Sequence, residues 1–369
     1  MAPSVGGAGA GPGTGGWRMP AEWAPHERTW MAWPSSGYTL GDTEADADEA
    51  RATWADVALA VSRFEPVTLV VDPGAVDVAR RWVGEGRHGL HRVDLLEAPL
   101  DDAWMRDIGP TFVLDGTGAL GAVDWVFNGW GAQDWATWAH DARVGTFVAG
   151  RAGATRVGSE LVNEGGGIHV DGLGTVLLTE TVQLDPGRNP GLTRADVEAE
   201  LARTIGATTC VWLPRGLTRD YDEFGTRGHV DIVATFASPG VVLLHWQGDP
   251  AHPDHEVSVE LEGLLSSARD ARGEPLEVVR VPAPTTLEDD EGPVDWSYIN
   301  HLVVNDGVVA CTYDDPQDAG SLAVLERAYA GRRVVGVDAR PLFARGGGIH
   351  CITQQQPRTG AGSPTATAP

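Results

Sequence analysis

The chain of 369 residues carries 52 acidic side chains against 27 Lys and Arg, a formal net charge of −25, and every one of those basic residues is arginine. Such a field disfavours nucleic acid and anionic membrane surfaces and draws small cations, although acidity also serves solubility alone. No apolar run approaches the ~18–20 residues of a membrane span and no basic, then apolar leader opens the chain, so a soluble cytoplasmic protein is expected.

In chain order, Ala2–Gly16 is almost wholly Gly, Ala, Pro, Ser and Thr, as is much of Thr359–Pro369. Neither segment can bury enough apolar surface to offset its ordering entropy, so both are expected to be disordered tails, 1–16 and 359–369. The early glycines have no preceding strand and no following Gly-Lys-Ser/Thr, which argues against a phosphate loop. Between the tails, β-branched runs at Val67–Val71, Ala119–Val126, Thr175–Thr179, Val241–His245 and Val308–Tyr313 read as strands. Several are entered through glycine turns, such as Asp171-Gly172-Leu173-Gly174 and Asn305-Asp306-Gly307. Helical stretches follow at Thr193–Ile205, Val257–Ala268 and Ser321–Tyr329; Thr193 and Asp196 form a capping-box pattern, with Val197, Leu201 and Ile205 on one face. Gly165-Gly166-Gly167-Ile168-His169 recurs as Gly346-Gly347-Gly348-Ile349-His350. The repetition predicts about five strand-helix units closed like a propeller; an ordinary α/β sheet is the alternative. No linker interrupts 17–358, which is read as one domain.

Asp107 lies in Asp101-Asp102-Ala103-Trp104-Met105-Arg106-Asp107, where acids beside an indole could grip a planar cation or simply form an acidic loop. Glu164 precedes the first glycine triplet and reads either as a site acid or as a surface charge. His229 and Asp231, two apart, share a face if Gly228–Ala234 is a strand, placing a base beside a carboxylate. Cys351 follows the second glycine triplet, where a turn could present a nucleophile or be only a turn. Cys210 and Cys311 lie in apolar runs and read as inert, and three cysteines make no disulfide framework. His169, His229 and His350 with Asp171, Asp231 and Cys351 offer ligand atoms, but without His-x-x-x-His or Cys-x-x-Cys spacing no metal is expected.

Together these segments resemble the agmatine deiminase family, related to bacterial peptidyl-arginine deiminases, from about Met19 to Pro357. The resemblance is carried by Met19-Pro20-Ala21-Glu22-Trp23, Met31-Ala32-Trp33-Pro34, Trp104-Met105-Arg106-Asp107-Ile108-Gly109-Pro110 and Asn163-Glu164-Gly165-Gly166. It continues in Gly228-His229-Val230-Asp231, Ser297-Tyr298-Ile299-Asn300 and Ile349-His350-Cys351-Ile352-Thr353-Gln354-Gln355-Gln356-Pro357. It implies the pentein fold, a pseudo-fivefold α/β propeller of ββαβ-type repeats. It implies a cysteine hydrolase that converts agmatine to N-carbamoylputrescine and ammonia in polyamine biosynthesis, without a cofactor, as a homodimer. Cys351 would be the nucleophile, His229 the acid/base, Asp107 and Asp231 the guanidinium-binding acids, Glu164 a further site acid and Trp104 the aromatic lining the substrate. The family commonly has Asp-Thr-Asn-Gly-His-Val-Asp where this chain has Phe224-Gly225-Thr226-Arg227-Gly228-His229-Val230-Asp231, so Asp222 or Glu223 is the candidate replacement acid. Alternatives are a deiminase of free or C-terminal arginine, read through Arg106, Arg227 or Arg345, an amidinotransferase, and a non-catalytic binder of guanidino compounds.

Overall fold

The structure is a computed structural model that describes residues 16–84 and 89–360. Apart from Gly16, Thr359 and Gly360, the two expected tails lie outside those residues. The strands in chain order are β1 (His26–Ala32), β2 (Val67–Val71), β3 (Val93–Glu97), β4 (Thr111–Leu114), β5 (Leu120–Val126) and β6 (Thr155–Val162). Next come β7 (Ile168–Val170), β8 (Thr175–Thr179), β9 (Thr209–Leu213), β10 (Ala234–Ser238), β11 (Val241–Trp246) and β12 (Glu277–Pro282). A small hairpin of β13 (Glu288–Asp289) and β14 (Gly292–Pro293) precedes β15 (Leu302–Val304), β16 (Gly307–Thr312), β17 (Arg333–Asp338) and β18 (Thr353–Pro357).

Four sheets share one plan, β4-β5-β6, β7-β8-β9, β10-β11-β12 and β15-β16-β17. In each, the first strand runs antiparallel to the second, and the second runs parallel to the third. A parallel neighbour requires a crossover, and in these four units it holds the helix Val144–Ala152, Arg194–Ile205, Asp254–Ser267 or Asp318–Ala328. The fifth sheet is β18-β1-β2-β3, in which the C-terminal β18 supplies the antiparallel first strand and Glu44–Val61 the crossover between β1 and β2. The two ends of the chain thereby close the ring: Thr29 pairs with Gln355 and Trp30 with Gln354, and the Trp30 indole donates to Gln356 Oε1 at 2.9 Å.

The five-unit plan is the propeller expected from the repeats, with one shift. Four of the five β-branched runs are second strands, but Val67–Val71 is the third strand of its unit, parallel to β1. The true second strand there, His-Glu-Arg-Thr-Trp-Met-Ala, is mostly polar at its start and shows no β-branched run.

Local rules account for the elements. The helix Arg194–Ile205 begins at the reciprocal Thr193–Asp196 box and ends at Gly206 in a left-handed cap, φ 70°. Its buried Val197, Leu201 and Ile205 join a core with β4–β8 residues such as Val113, Val123 and Val176, each such burial contributing about 1.5–3 kcal/mol. At the β7–β8 turn the Asp171 carboxylate accepts from Leu173 and Thr175 N–H, at 2.7 and 2.9 Å, which explains Asp171 without any ligand role. Among the described residues no helix is long and apolar enough to cross a membrane.

Candidate active site

The loop leading into the first strand of each unit reaches one common place. Trp104–Gly109 leads into β4, Asn163–Gly167 into β7, Gly228–Val233 into β10, Ser297–His301 into β15 and Gly346–Ile352 into β18. They deliver Asp107, Glu164, His229 with Asp231, Asn300, and Cys351. All six are almost fully buried.

The histidine is set by its loop. Gly228 has φ 110° and Arg227 φ 68°, a left-handed turn. Asp220 holds that turn, accepting from Thr226 N–H at 2.7 Å, Thr226 Oγ1 at 2.6 Å, Gly228 N–H at 2.6 Å and His229 N–H at 3.1 Å. His229 and Asp231 therefore do not alternate along a strand: Val230–Ile232 is a short 3-10 turn and β10 begins only at Ala234. Asp222 and Glu223 are exposed. The buried acid of this loop is Asp220, and it spends its oxygens on the backbone.

His229 Nε2 lies 3.2 Å from Glu164 Oε2, and its Nδ1 lies 3.9 Å from Asp107 Oδ1, too far for a hydrogen bond. Burial alone would lower the imidazole pKa, but the charge of Asp107 and the hydrogen bond to Glu164 outweigh it and push His229 up to about 9. Burial raises Asp107 to about 6 against the opposing pull of His229. Glu164 is no surface charge: Arg188 Nε bonds both its oxygens at 3.0 Å, and that cation with His229 keeps it below its usual range despite burial. Burial likewise opposes ionisation of Asp231, but His350, His229 and Arg106 hold its carboxyl low.

Cys351 Sγ lies 3.7 Å from Asp231 Oδ2 and receives the Asn300 side-chain N–H at 3.2 Å. Burial, then the carboxylates of Asp231 and Asp107, push the thiol well above its ordinary value. Two glycines let the loops meet. A Cβ on Gly166 would sit 2.4 Å from His229 Nδ1, and one on Gly347 would sit 2.8 Å from the Trp104 ring and 3.1 Å from Cys351 Sγ. Trp104, packed edge-on against Trp54, thus borders the nucleophile. Five buried polar atoms of these loops have no hydrogen-bond partner among the described residues: Trp104 Nε1, Arg106 Nη2, Asn163 Nδ2, His229 Nδ1 and Asp231 Oδ1.

Two residues here carry no assigned role in the sequence reading. Asn300 lies in a quoted motif and proves to touch the sulfur. Trp130, in no motif quoted above, donates its indole N–H to Asp107 Oδ2 at 2.9 Å. Counting one polar residue per repeated loop would have singled out Asn300; Trp130 has no comparable signal.

The flanking arginines are committed elsewhere. Arg106 ties the Asp107 loop to the cysteine loop through its N–H to Cys351 O at 3.0 Å, Nε to His350 O at 3.3 Å and Nη1 to Gln355 Oε1 at 2.8 Å. Arg345 bonds the carbonyls of Thr39, Pro341 and Asp46. Cys210 and Cys311 are both pushed up to about 12 by burial, as inert thiols are.

Among the described residues, Glu22, His169 and His350 bring ligand-type atoms within 4.8 Å of one another. The Arg106 guanidinium lines the same small cavity, and Glu22 and His350 already meet at 2.9 Å. That donor set is an ion-pair cluster rather than a metal cage.

A model of the Porphyromonas-type peptidyl-arginine deiminases matches residues 18–357, and the agmatine deiminase of Ectopseudomonas mendocina is 39% identical over 94% of this chain and 97% of its own length. The chain belongs to this deiminase family. A Streptomyces coelicolor protein provisionally named an agmatine deiminase is 61% identical over 93% of this chain and 99% of its own. Among solved structures, agmatine deiminase of Enterococcus faecalis superposes with a TM-score of 0.85 at 31% identity, covering 95% of this chain and all of its own. Membership fits the five-sheet ring described above, and with it the pentein fold.

Proposed function

We propose that this chain is an agmatine deiminase that converts agmatine and water to N-carbamoylputrescine and ammonia through a cysteine thiouronium. The observation that carries the reading is the dry cage itself. Three carboxylates surround one thiol and one imidazole, and the acceptor Asp231 Oδ1 is left unpartnered. A flat cation with several N–H groups is the guest that such a cage lacks. The names of the relatives supply the same substrate.

In the proposed mechanism Asp107 and Asp231 grip the guanidinium and Trp104 borders it. Its positive charge offsets the carboxylates that hold the Cys351 thiol protonated, so the thiol gives up its proton to solvent as the substrate binds. The thiolate attacks the central carbon. His229, kept protonated by Asp107 and Glu164, gives its proton to the departing nitrogen, which leaves as ammonia. The thiouronium remains on sulfur. Neutral His229 then takes a proton from water, the hydroxide adds to the carbon, the C–S bond breaks and the ureido product departs. The product is an N-carbamoyl diamine, one hydrolysis away from putrescine, which places the reaction in polyamine formation.

The test is ammonia release from agmatine and from arginine at matched concentrations. Release from agmatine that falls by about 10³-fold or more in Cys351→Ala is expected. Equal release by wild type and mutant would remove the covalent mechanism, and release from arginine alone would replace the substrate.

A further inference from the structure

Glu22 belongs to the Met19–Trp23 motif, which takes no part in the chemistry above, and yet it is buried at the heart of the molecule. Its Oε1 accepts the Val303 N–H at 2.7 Å, and its Oε2 lies 2.9 Å from His350 Nε2. The other ring nitrogen of His350, Nδ1, lies 2.7 Å from Asp231 Oδ2. A neutral imidazole has one N–H, and an ionised carboxylate only accepts. Two carboxylates on the two nitrogens of one ring therefore require one proton more than neutral histidine supplies, and the simplest holder is His350 itself as imidazolium.

We propose that Glu22 is a positioning residue for guanidinium binding: it holds His350 charged beneath Asp231, which keeps Asp231 ionised, fixes its Oδ2 and leaves its Oδ1 for the substrate. This rests on the agmatine reading given above. Without the imidazolium, Asp231 would share a dry site with Asp107 and Glu164, and like charges so placed cannot all stay ionised. With it, the acid bonded to Cys351 stays charged beside Glu164, which Arg188 holds ionised. The groups around the pair fit this balance. Arg106 and His169 face His350, and both disfavour its positive charge, whereas Glu22 and Asp231 favour it. His301 and Tyr329 stand beyond Glu22, bonded to each other at 2.8 Å. His229, Arg106, Asp107 and Cys351 face Asp231.

The first test needs no ligand, and a variant only to assign the signal. Ring ¹⁵N signals of histidine-labelled wild-type protein, with His350 assigned by loss in His350→Gln, should show both nitrogens protonated at pH 7. A His350 with one ring proton at pH 7 would overturn the proposal. The second test measures agmatine binding by calorimetry in the Cys351→Ala background. Glu22→Gln should weaken binding about tenfold and Asp231→Asn further, with the double variant no weaker than Asp231→Asn alone. Losses that add would make Glu22 merely structural; if Glu22→Gln fails to fold, His350→Gln takes its place in the same cycle. A charged His350 in a protein that does not bind agmatine would sink the substrate reading and keep the Glu22–His350–Asp231 link; a neutral His350 in one that does bind would do the reverse.

Discussion

The two Gly-Gly-Gly-Ile-His segments share five residues and lead into the first strands of their units, the first running into β7 and the second ending ahead of β18, yet they do different work. Their middle glycines, Gly166 and Gly347, both line the site, one against His229 and the other against Trp104 and Cys351. Their histidines, His169 and His350, both turn inward to Glu22. The flanks diverge. Before the first triplet stands Glu164, facing His229; before the second stands Arg345, turned away to backbone carbonyls. After the second comes Cys351, where the first continues into β7 as Val170. The shared residues build the backbone floor, and single flanking residues assign one loop to proton chemistry and the other to the nucleophile.

Matched alanine substitutions should separate the two loops. Gly166→Ala drives a methyl to 2.4 Å from the ring nitrogen of a fully buried His229, so the base must move. A loss of kcat on the order of 10²-fold with unchanged circular dichroism is expected. Gly347→Ala meets ring edge and sulfur at 2.8 and 3.1 Å, and a smaller loss, about tenfold, is expected. The reverse order would mean that the nucleophile loop is the tighter of the two.

Of the two glycine loops, Asn300 bonds the second, and it also donates to the Asp231 carbonyl at 3.2 Å. Its Oδ1 accepts the His350 N–H at 3.0 Å, which fixes the amide and turns Nδ2 toward Cys351 Sγ. A bond to a developing thiolate is worth about 1.5–3 kcal/mol. Asn300→Ala should therefore slow alkylation of Cys351 by iodoacetamide about tenfold or more at fixed pH, and an unchanged rate would leave Asn300 a scaffold residue. In the ligand-free protein alkylation should climb only above the pH range of an ordinary thiol, because burial and the two carboxylates raise the thiol. A guanidine ligand should shift the rise to lower pH; identical profiles would discard substrate-assisted ionisation.

The first loop should leave its mark on stability instead. His229 is raised to about 9 in the folded chain, burial being outweighed by Asp107 and Glu164. Its contribution is then complete below the ordinary histidine value of about 6.5 and disappears as pH rises through about 9. The Tm difference between wild type and His229→Gln should shrink across that window. A constant difference would mean that His229 is not charged in the resting site.

The ring and most of the cage could be read from the chain because four of the five units leave a β-branched second strand and every unit leaves a motif just ahead of its first strand. Cys351, His229, Asp107, Asp231 and Glu164 all sit in such motifs, and the structure brings all five together. What escaped reading has physical causes. Unit one hides its second strand in a polar sequence and borrows its first strand from the C-terminus. The alternation at Gly228–Ala234 fits a strand, but Asp220, reaching over from outside the motif, wraps the loop into a turn. Glu22 and Trp130 act through contacts with residues remote in sequence, which no local pattern records.

The smallest expected effect concerns Arg227, which stands where the family pattern quoted in the sequence analysis has Asn. Arg227 holds φ 68°, a region Asn tolerates better than Arg, and pairs with Asp185 at 3.3 Å while remaining partly exposed. Asp185 is also held by Arg188 at 2.9 Å, the same arginine that grips Glu164. Arg227 is thus attached to the acid side of the site, and with Arg106 and Arg345 committed it is the flanking cation with the most freedom to meet a substrate carboxylate. Agmatine has none. Arg227→Asn should therefore change agmatine kcat/KM by less than about threefold, the loss of a partly exposed ion pair being worth about 0–1 kcal/mol. Arginine turnover by wild type that vanishes in this variant would show that the acid-side loop reads a carboxylate, and the preference for agmatine would have to be abandoned.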